Sequence, residues 1–396
     1  MLQLKPIFVT SILSLGTLSS IAPAHAEDWS QWRGPNRNGA STESTWNASS
    51  PRKVWQASIG QGYSSIAVAR GKVYSVGNNG SSDTVFCFDA NKGGVIWKRS
   101  YPCGAGDYEG PRATPVLDGN RVYTLSREGQ ALCLDADTGR VIWQKGLAQS
   151  VRAPMPIWGF AGSVLIDGNT AYYNINGGGT AVDKNTGRLL WTSEVSEAGY
   201  SSPIIYTIAG QRVLVIMSSV GLVGINPTNG RKIWSYGWDT PNKVNAADPI
   251  AVGDSLFISS GYDKGCALIN IVGGRPRLAY QNRNMRNHFH TSVLVDGYLY
   301  GNDQGNFKCI ELKTGRQMWR EGGLGMGGLI VANKKLIVLN ERGELTVVAT
   351  NPNRYQEMSR VKILDGSCWT DPVLANGKIY ARNHEGTLIC VDVKQK

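Results

Sequence analysis

A nine-residue phrase recurs along the chain and constrains its fold more than any other feature. It reads DANKGGVIW from Asp89 to Trp97, DADTGRVIW from Asp135 to Trp143 and DKNTGRLLW from Asp183 to Trp191. Looser copies follow, NPTNGRKIW from Asn226 to Trp234 and ELKTGRQMW from Glu311 to Trp319. The first four tryptophans are spaced 46, 48 and 43 residues apart. An Asp or Asn followed shortly by Gly is tight-turn chemistry: the side chain accepts nearby backbone N–H groups, and Gly takes positive φ without a Cβ clash. Apolar, β-branched residues flank the turn, so the phrase is a hairpin with the Trp on its outgoing strand. Strand-rich units at this period predict a β-propeller, one four-stranded blade per repeat. A single blade cannot bury both of its faces, so a Trp at one fixed position is expected to pack between neighbouring blades.

A second turn counts the blades. It recurs at Gly71-Lys72, Gly119-Asn120, Gly168-Asn169, Gly210-Gln211, Gly253-Asp254, Gly297-Tyr298, Asn333-Lys334 and Gly377-Lys378, which makes eight units. The units around Tyr280 and Arg360 have lost the Trp and read as degenerate copies. The last unit stops at Lys396 after its third strand, while Lys53-Val54-Trp55-Gln56 stands ahead of the first complete unit. An N-terminal strand completing the last blade would close the ring and remove two bare sheet edges. The expectation is an all-β, eight-bladed propeller over 53–396, with Trp55, Trp97, Trp143, Trp191, Trp234 and Trp319 as docking residues.

The phrase resembles the tryptophan-docking motif of the pyrroloquinoline quinone (PQQ) repeat family, which includes quinoprotein alcohol dehydrogenases and the outer-membrane assembly factor BamB. The resemblance runs from Val54 to the C-terminus. It implies the eight-bladed fold and leaves activity open, because the motif is a packing device.

Residues 1–26 carry one Lys, an apolar run from Ile7 to Ile21 and then Ala24-His25-Ala26. That pattern predicts a secretory signal peptide cut before Glu27, and a periplasmic or secreted protein. The run is too short and too polar to span a bilayer. The first Cys is Cys87, so no lipid anchor is expected, in contrast to the lipid-anchored BamB proteins. Residues 27–52 hold Trp29, Trp32 and Trp46, too many for a floating linker, and should pack on the propeller. The formal charge of +11 is scattered, and no basic run interleaved with aromatics suggests nucleic acid. A monomer is expected.

Four of the seven Cys, Cys87, Cys133, Cys309 and Cys390, share one repeat position and read as small buried hydrophobes. Cys103 and Cys368, in inter-blade loops, are the one pair worth testing for a bridge. Neither a haem-attachment motif nor adjacent Cys-Cys is present; the resemblance implies the latter beside a quinone.

A functional site is expected where the loops entering each innermost strand converge at one channel mouth. Those loops supply Tyr63, Arg112, Trp158, Tyr200, Asn245, Asp248, Arg286, Asn287, His288, Trp369 and Asp371. Guanidiniums, carboxylates, an imidazole and aromatics facing one axis would suit an acidic or sugar-like ligand. The plainer alternative is that the polar groups only close loop backbones. His288 and His290 lack a third ligand for a metal, and none is expected. Three functions fit: an envelope propeller that binds a protein or glycan and is no enzyme; a PQQ- and Ca²⁺-dependent dehydrogenase; and a carbohydrate-active enzyme with paired carboxylates. The catalytic candidates would be Asp248, Asp371 and His288. The first reading is preferred, with no cofactor.

Overall fold

The computed structural model describes residues 28–194 and 196–395; the expected signal peptide lies outside them. Eight antiparallel sheets form the blades of a propeller. Blade one runs outward from the axis as Ala67–Ala69, Lys72–Asn78, Ser82–Asp89 and Val95–Pro102. The next six repeat this order. In blade eight, Val373–Ala375, Lys378–Arg382 and Thr387–Asp392 are completed by Arg52–Ser58 from the other end of the chain. That strand pairs antiparallel with Thr387–Asp392 and sets Trp55 opposite Cys390, so the ring closes as its edges require.

The recurring phrase is a latch between blades. Trp55 Nε1–H donates to Ala90 O (3.1 Å), Trp97 to Ala136 O (3.0 Å), Trp143 to Lys184 O (2.8 Å), Trp191 to Pro227 O (3.0 Å) and Trp319 to Asn351 O (2.8 Å). Each acceptor follows the Asp or Asn that opens the next blade's turn, except that Asn351 itself opens a variant turn. The turn Gly has a second duty besides positive φ. A Cβ at Gly93, Gly139, Gly187 or Gly230 would come within 2.5–2.8 Å of the Trp ring of the preceding blade. Only a residue without a side chain admits the indole there.

A β-bulge in the outer pair of every blade aims the latch. It skips the residue before the docking position, which turns the docking side chain toward its neighbour and throws the skipped one outward. This accounts for exposed Val54, Ile96, Leu190 and Met358. It also shows what stands at the docking position of the two units that lack the Trp. Tyr280 occupies the docking position and its hydroxyl donates to Leu312 O at 2.7 Å, so that latch survives. In blade seven the docking position is Ser359, and Arg360 pairs with Glu357 and Glu344 instead. All seven cysteines are free and buried, Cys103 and Cys368 included. Cys87, Cys133, Cys309 and Cys390 face the docking Trp across the outer strand pair.

Residues 28–47 thread under the whole ring. Trp29 exchanges two backbone bonds of 2.8 Å with Val68 of blade one, and Ser30 O accepts Leu117 N–H of blade two at 2.8 Å. Arg37 donates to Val164 O and Pro203 O in blades three and four. Trp32 reaches Asp248 of blade five, and Arg33 donates to Thr291 O and Ser292 O of blade six. Ala40–Ser41 adds a parallel strand to blade seven. Glu43 Oε2 and Asn47 N–H bond to Gly377 and Val393 of blade eight. Burial of Trp29, Trp46, Arg33 and Arg37 makes this arm a plug at one end of the channel.

Candidate functional site

The loops entering the innermost strands gather at the end of the channel away from the plug. A chain of hydrogen bonds follows the channel wall from blade one to blade six just inside them, and a shorter one links blades seven, eight and one. The N–H of Ser65 donates to Thr114 Oγ1 (3.2 Å), Thr114 to Ser163 Oγ (2.8 Å), Ser163 to Ser202 Oγ (3.0 Å), Ser202 to Asp248 Oδ1 (2.7 Å) and Asp248 to Thr291 Oγ1 (2.8 Å). Leu329 N–H donates to Asp371 Oδ1 at 3.2 Å, and Ser65 Oγ–H closes back on Asp371 O at 3.3 Å. Blades two to six and blade eight thus each offer one short side-chain acceptor to the preceding blade. Asp248 and Asp371 hold the same position as Ser and Thr elsewhere, which explains both carboxylates structurally.

Above this ring lies a cavity of about 320 Å³. Tyr63, Arg112, Trp158, Tyr200, Asp248, His288 and Trp369 line it, and Trp32 of the plug joins them from below. Its walls are largely aromatic. Ring centroids step from His384 to Tyr63 (4.6 Å), Trp369 (5.9 Å), Phe289 (5.3 Å), His288 (4.0 Å) and Tyr262 (4.7 Å). Trp158 and Tyr200 form a second pair at 6.0 Å.

Four sequence-expected residues do not line the cavity, and each has another occupation. Arg286 is the main correction: its guanidinium grips Asp303 with two bonds of 2.8 and 2.9 Å and also meets Asp263. Asp303 is fully buried, and Lys308 meets it from the other side at 2.7 Å. The pairing raises the Arg286 pKa. Burial pushes the Asp303 carboxyl up, but the bonds from Arg286 and Lys308 outweigh it and hold the group below the usual range. Asn245 donates to Ser218 O and Trp238 O, and Asn287 to Asn302 O. Asp371 accepts His290 Nδ1–H at 2.8 Å. Thus His290 lines the cavity and Asp371 does not.

The electrostatics of the lining are sparse. Asp248 Oδ2 accepts Trp32 Nε1–H at 2.7 Å; burial raises its pKa, opposed by Arg33, Trp32, Ser202 and Arg37. Burial, with His290 beside it, lowers His288 to about 4, so the imidazole is neutral at pH 7. Burial lowers Arg112 to about 10, which leaves it cationic, and its guanidinium sits 5.7 Å from the Tyr63 ring centroid. Burial raises Tyr63 to about 12. Residues the sequence reading did not assign to the site include Trp32, Tyr108, Tyr262, Phe289, His290 and Met326. Tyr108 shares a loop with Arg112 and could have been found by extending that window. Tyr262 comes from a hairpin turn within blade five, which no inter-blade spacing flags.

A family model described as outer membrane protein assembly factor BamB matches residues 81–321. The chain belongs to this BamB-like, PQQ-repeat family. Among its relatives, BamB of Yersinia pestis is 25% identical over 325 residues, covering 74% of this chain and 77% of the relative. The crystal structure of BamB from Moraxella catarrhalis superposes with a TM-score of 0.64 at 18% identity, covering 86% of this chain and 99% of that one. Quinohemoprotein alcohol dehydrogenase from Comamonas testosteroni superposes with a TM-score of 0.71 at 12% identity, covering 95% and 82%. These likenesses carry the fold of the BamB-like family.

The cavity is a poor fit for PQQ and Ca²⁺. Among the described residues Arg112 is the only Arg or Lys lining it, one cation for a tricarboxylate. Of the two carboxylates on the ring, Asp248 is held by Trp32 and Ser202, and Asp371 lies behind His290. Among the described residues no group of three or more His, Cys, Asp or Glu is placed to hold a metal ion.

Proposed function

We propose that this chain is a binding protein of the cell envelope that seats a sugar-like ligand in its blind aromatic cavity. The observation that carries the reading is the combination of a plugged channel and an aromatic-walled mouth. The arm closes one end, so a ligand enters and leaves past Tyr63, Trp158, Trp369 and Phe289. Flat aromatic faces with a few polar groups between them suit the apolar faces and hydroxyls of a sugar ring. An envelope location is supported by the leader-like sequence at 1–26 and by relatives described as outer membrane assembly factors. A monomer without a lipid anchor, cut near Ala26/Glu27 and built as an arm over 27–52 and a propeller over 53–396, belongs to the same reading.

The test is a titration of intrinsic tryptophan fluorescence with soluble envelope oligosaccharides. A saturable change is expected, with Kd raised at least tenfold by Trp369→Ala or Trp158→Ala. No saturable change, or binding that both variants leave intact, would contradict the reading. In parallel, PQQ and Ca²⁺ should support no dye-linked alcohol oxidation; turnover would promote the dehydrogenase.

A further inference from the structure

We propose that the ligand of this cavity carries a carboxylate, bound by Arg112 and reinforced by the charge of Arg127 behind it, so that it is a uronate-type acidic sugar rather than a neutral one. The inference rests on the sugar-site reading above and adds the charge of the sugar.

Two arginines from separate elements converge on one short stretch of the loop entering blade two. Arg112 donates to Asp107 O at 3.2 Å, Tyr108 O at 3.0 Å and Gly110 O at 3.3 Å. Arg127 comes from the hairpin turn between Arg121–Leu125 and Gln130–Asp135. A Cβ at Gly106 would overlap its guanidinium. The side chains therefore flank adjacent residues, Gly106 and Asp107.

Neither guanidinium is neutralised. Among the described residues, ion pairs within 4.0 Å include neither Arg112 nor Arg127, whereas Arg286 has two carboxylates. The nearby acids are turned elsewhere. Glu128 Oε1 accepts Gly104 N–H at 2.9 Å, and Glu109 faces His384 at 3.4 Å. Arg127 is 8% exposed and its Nε has no partner. Burial, followed by the charge of Arg127, depresses Arg112. Two like charges in a partly dry site oppose folding unless an anion joins them. Guanidinium is the planar donor suited to a carboxylate. Tyr63, against which Arg112 packs, also stacks on Trp369. A ring lying on that aromatic wall would thus bring an attached carboxylate to Arg112.

Calorimetry on the full mature chain with trigalacturonate and its methyl ester, which differ in charge and by one methyl group per carboxyl, tests this. The acid should bind at least tenfold tighter than the ester, and added salt should shrink the difference. Arg112→Gln should abolish the preference. Arg112 also ties its own loop, so Arg127→Gln serves as the second variant, since it removes charge at a side chain with no hydrogen bond among the described residues. It should reduce the preference several-fold without lowering the melting temperature. Equal binding of acid and ester, or a preference that both variants leave intact, overturns the carboxylate while sparing the sugar site. Binding of neither compound overturns both.

Discussion

At the perimeter of the propeller, six of the eight docking positions carry Trp, and a seventh carries Tyr280. Trp97, Trp143 and Trp191 each donate to a carbonyl of the next blade, and each lies against a turn Gly. At the channel mouth, the entry loops bring unlike groups, Tyr63, Arg112, Trp158, Tyr200 and Trp369, to one space. The contrast follows from what each region meets. Every seam presents nearly the same partner, so a repeat unit solves it repeatedly. A ligand on the axis lacks the symmetry of the ring, so each loop is free to differ. Between the two lies the ring of Ser, Thr and Asp acceptors, repetitive in hydrogen bonding but variable in chemistry. Perimeter substitutions should therefore cost stability, and mouth substitutions should cost binding.

The largest expected effect is at the perimeter. Trp97→Ala removes a buried indole and its bond to Ala136 O, and should destabilise by about 3–5 kcal/mol, measured by urea denaturation. A loss below about 1 kcal/mol would mean that the seams are held by something other than the latch.

Arg286 sharpens the comparison because its sequence position suggested the mouth and its contacts are structural. Arg286→Ala leaves buried Asp303 with Lys308 alone and should cost about 1.5–3 kcal/mol, the scale of bonds to a charged group. Ligand affinity should not change. The sign of the pH dependence is fixed by Asp303. Its folded pKa lies below the unfolded one, so its stabilisation is complete above the unfolded value of about 3.9 and is lost as pH falls through the folded value. Arg286→Ala should flatten that acid limb, which denaturation at a series of pH values would show.

The smallest effect tests whether a degenerate repeat still latches. Tyr280→Phe keeps the ring and removes the hydroxyl that donates to Leu312 O. A loss of about 1 kcal/mol is expected; an unchanged denaturation midpoint would make Tyr280 a space-filler.

Most of the fold was legible because turn chemistry and the Trp period are local and repeated. The strand completing blade eight was legible too, since a ring one strand short must borrow it. The β-bulge was not, because skipping Ile96 or Val54 leaves no mark in composition. That is why the docking position of the unit around Arg360, Ser359, is not evident from the sequence. At the mouth, loop membership identified Tyr63, Arg112, Trp158, Tyr200, His288 and Trp369 as neighbours. It could not show which way a side chain turns. Arg286 and His288 are two residues apart, yet one grips Asp303 and the other lines the cavity. The contribution of Trp32 was hidden for another reason: the path of the arm depends on contacts with all eight blades, and no local pattern encodes it.

The most direct test compares Trp97→Ala and Trp369→Ala in one thermal-shift experiment, with and without trigalacturonate. The account predicts a lowered melting temperature for Trp97→Ala with the ligand-induced rise retained. For Trp369→Ala it predicts a near-native melting temperature with that rise lost. A Trp369→Ala protein that melts as early as Trp97→Ala yet still gains the full ligand-induced rise would contradict the division between perimeter and mouth.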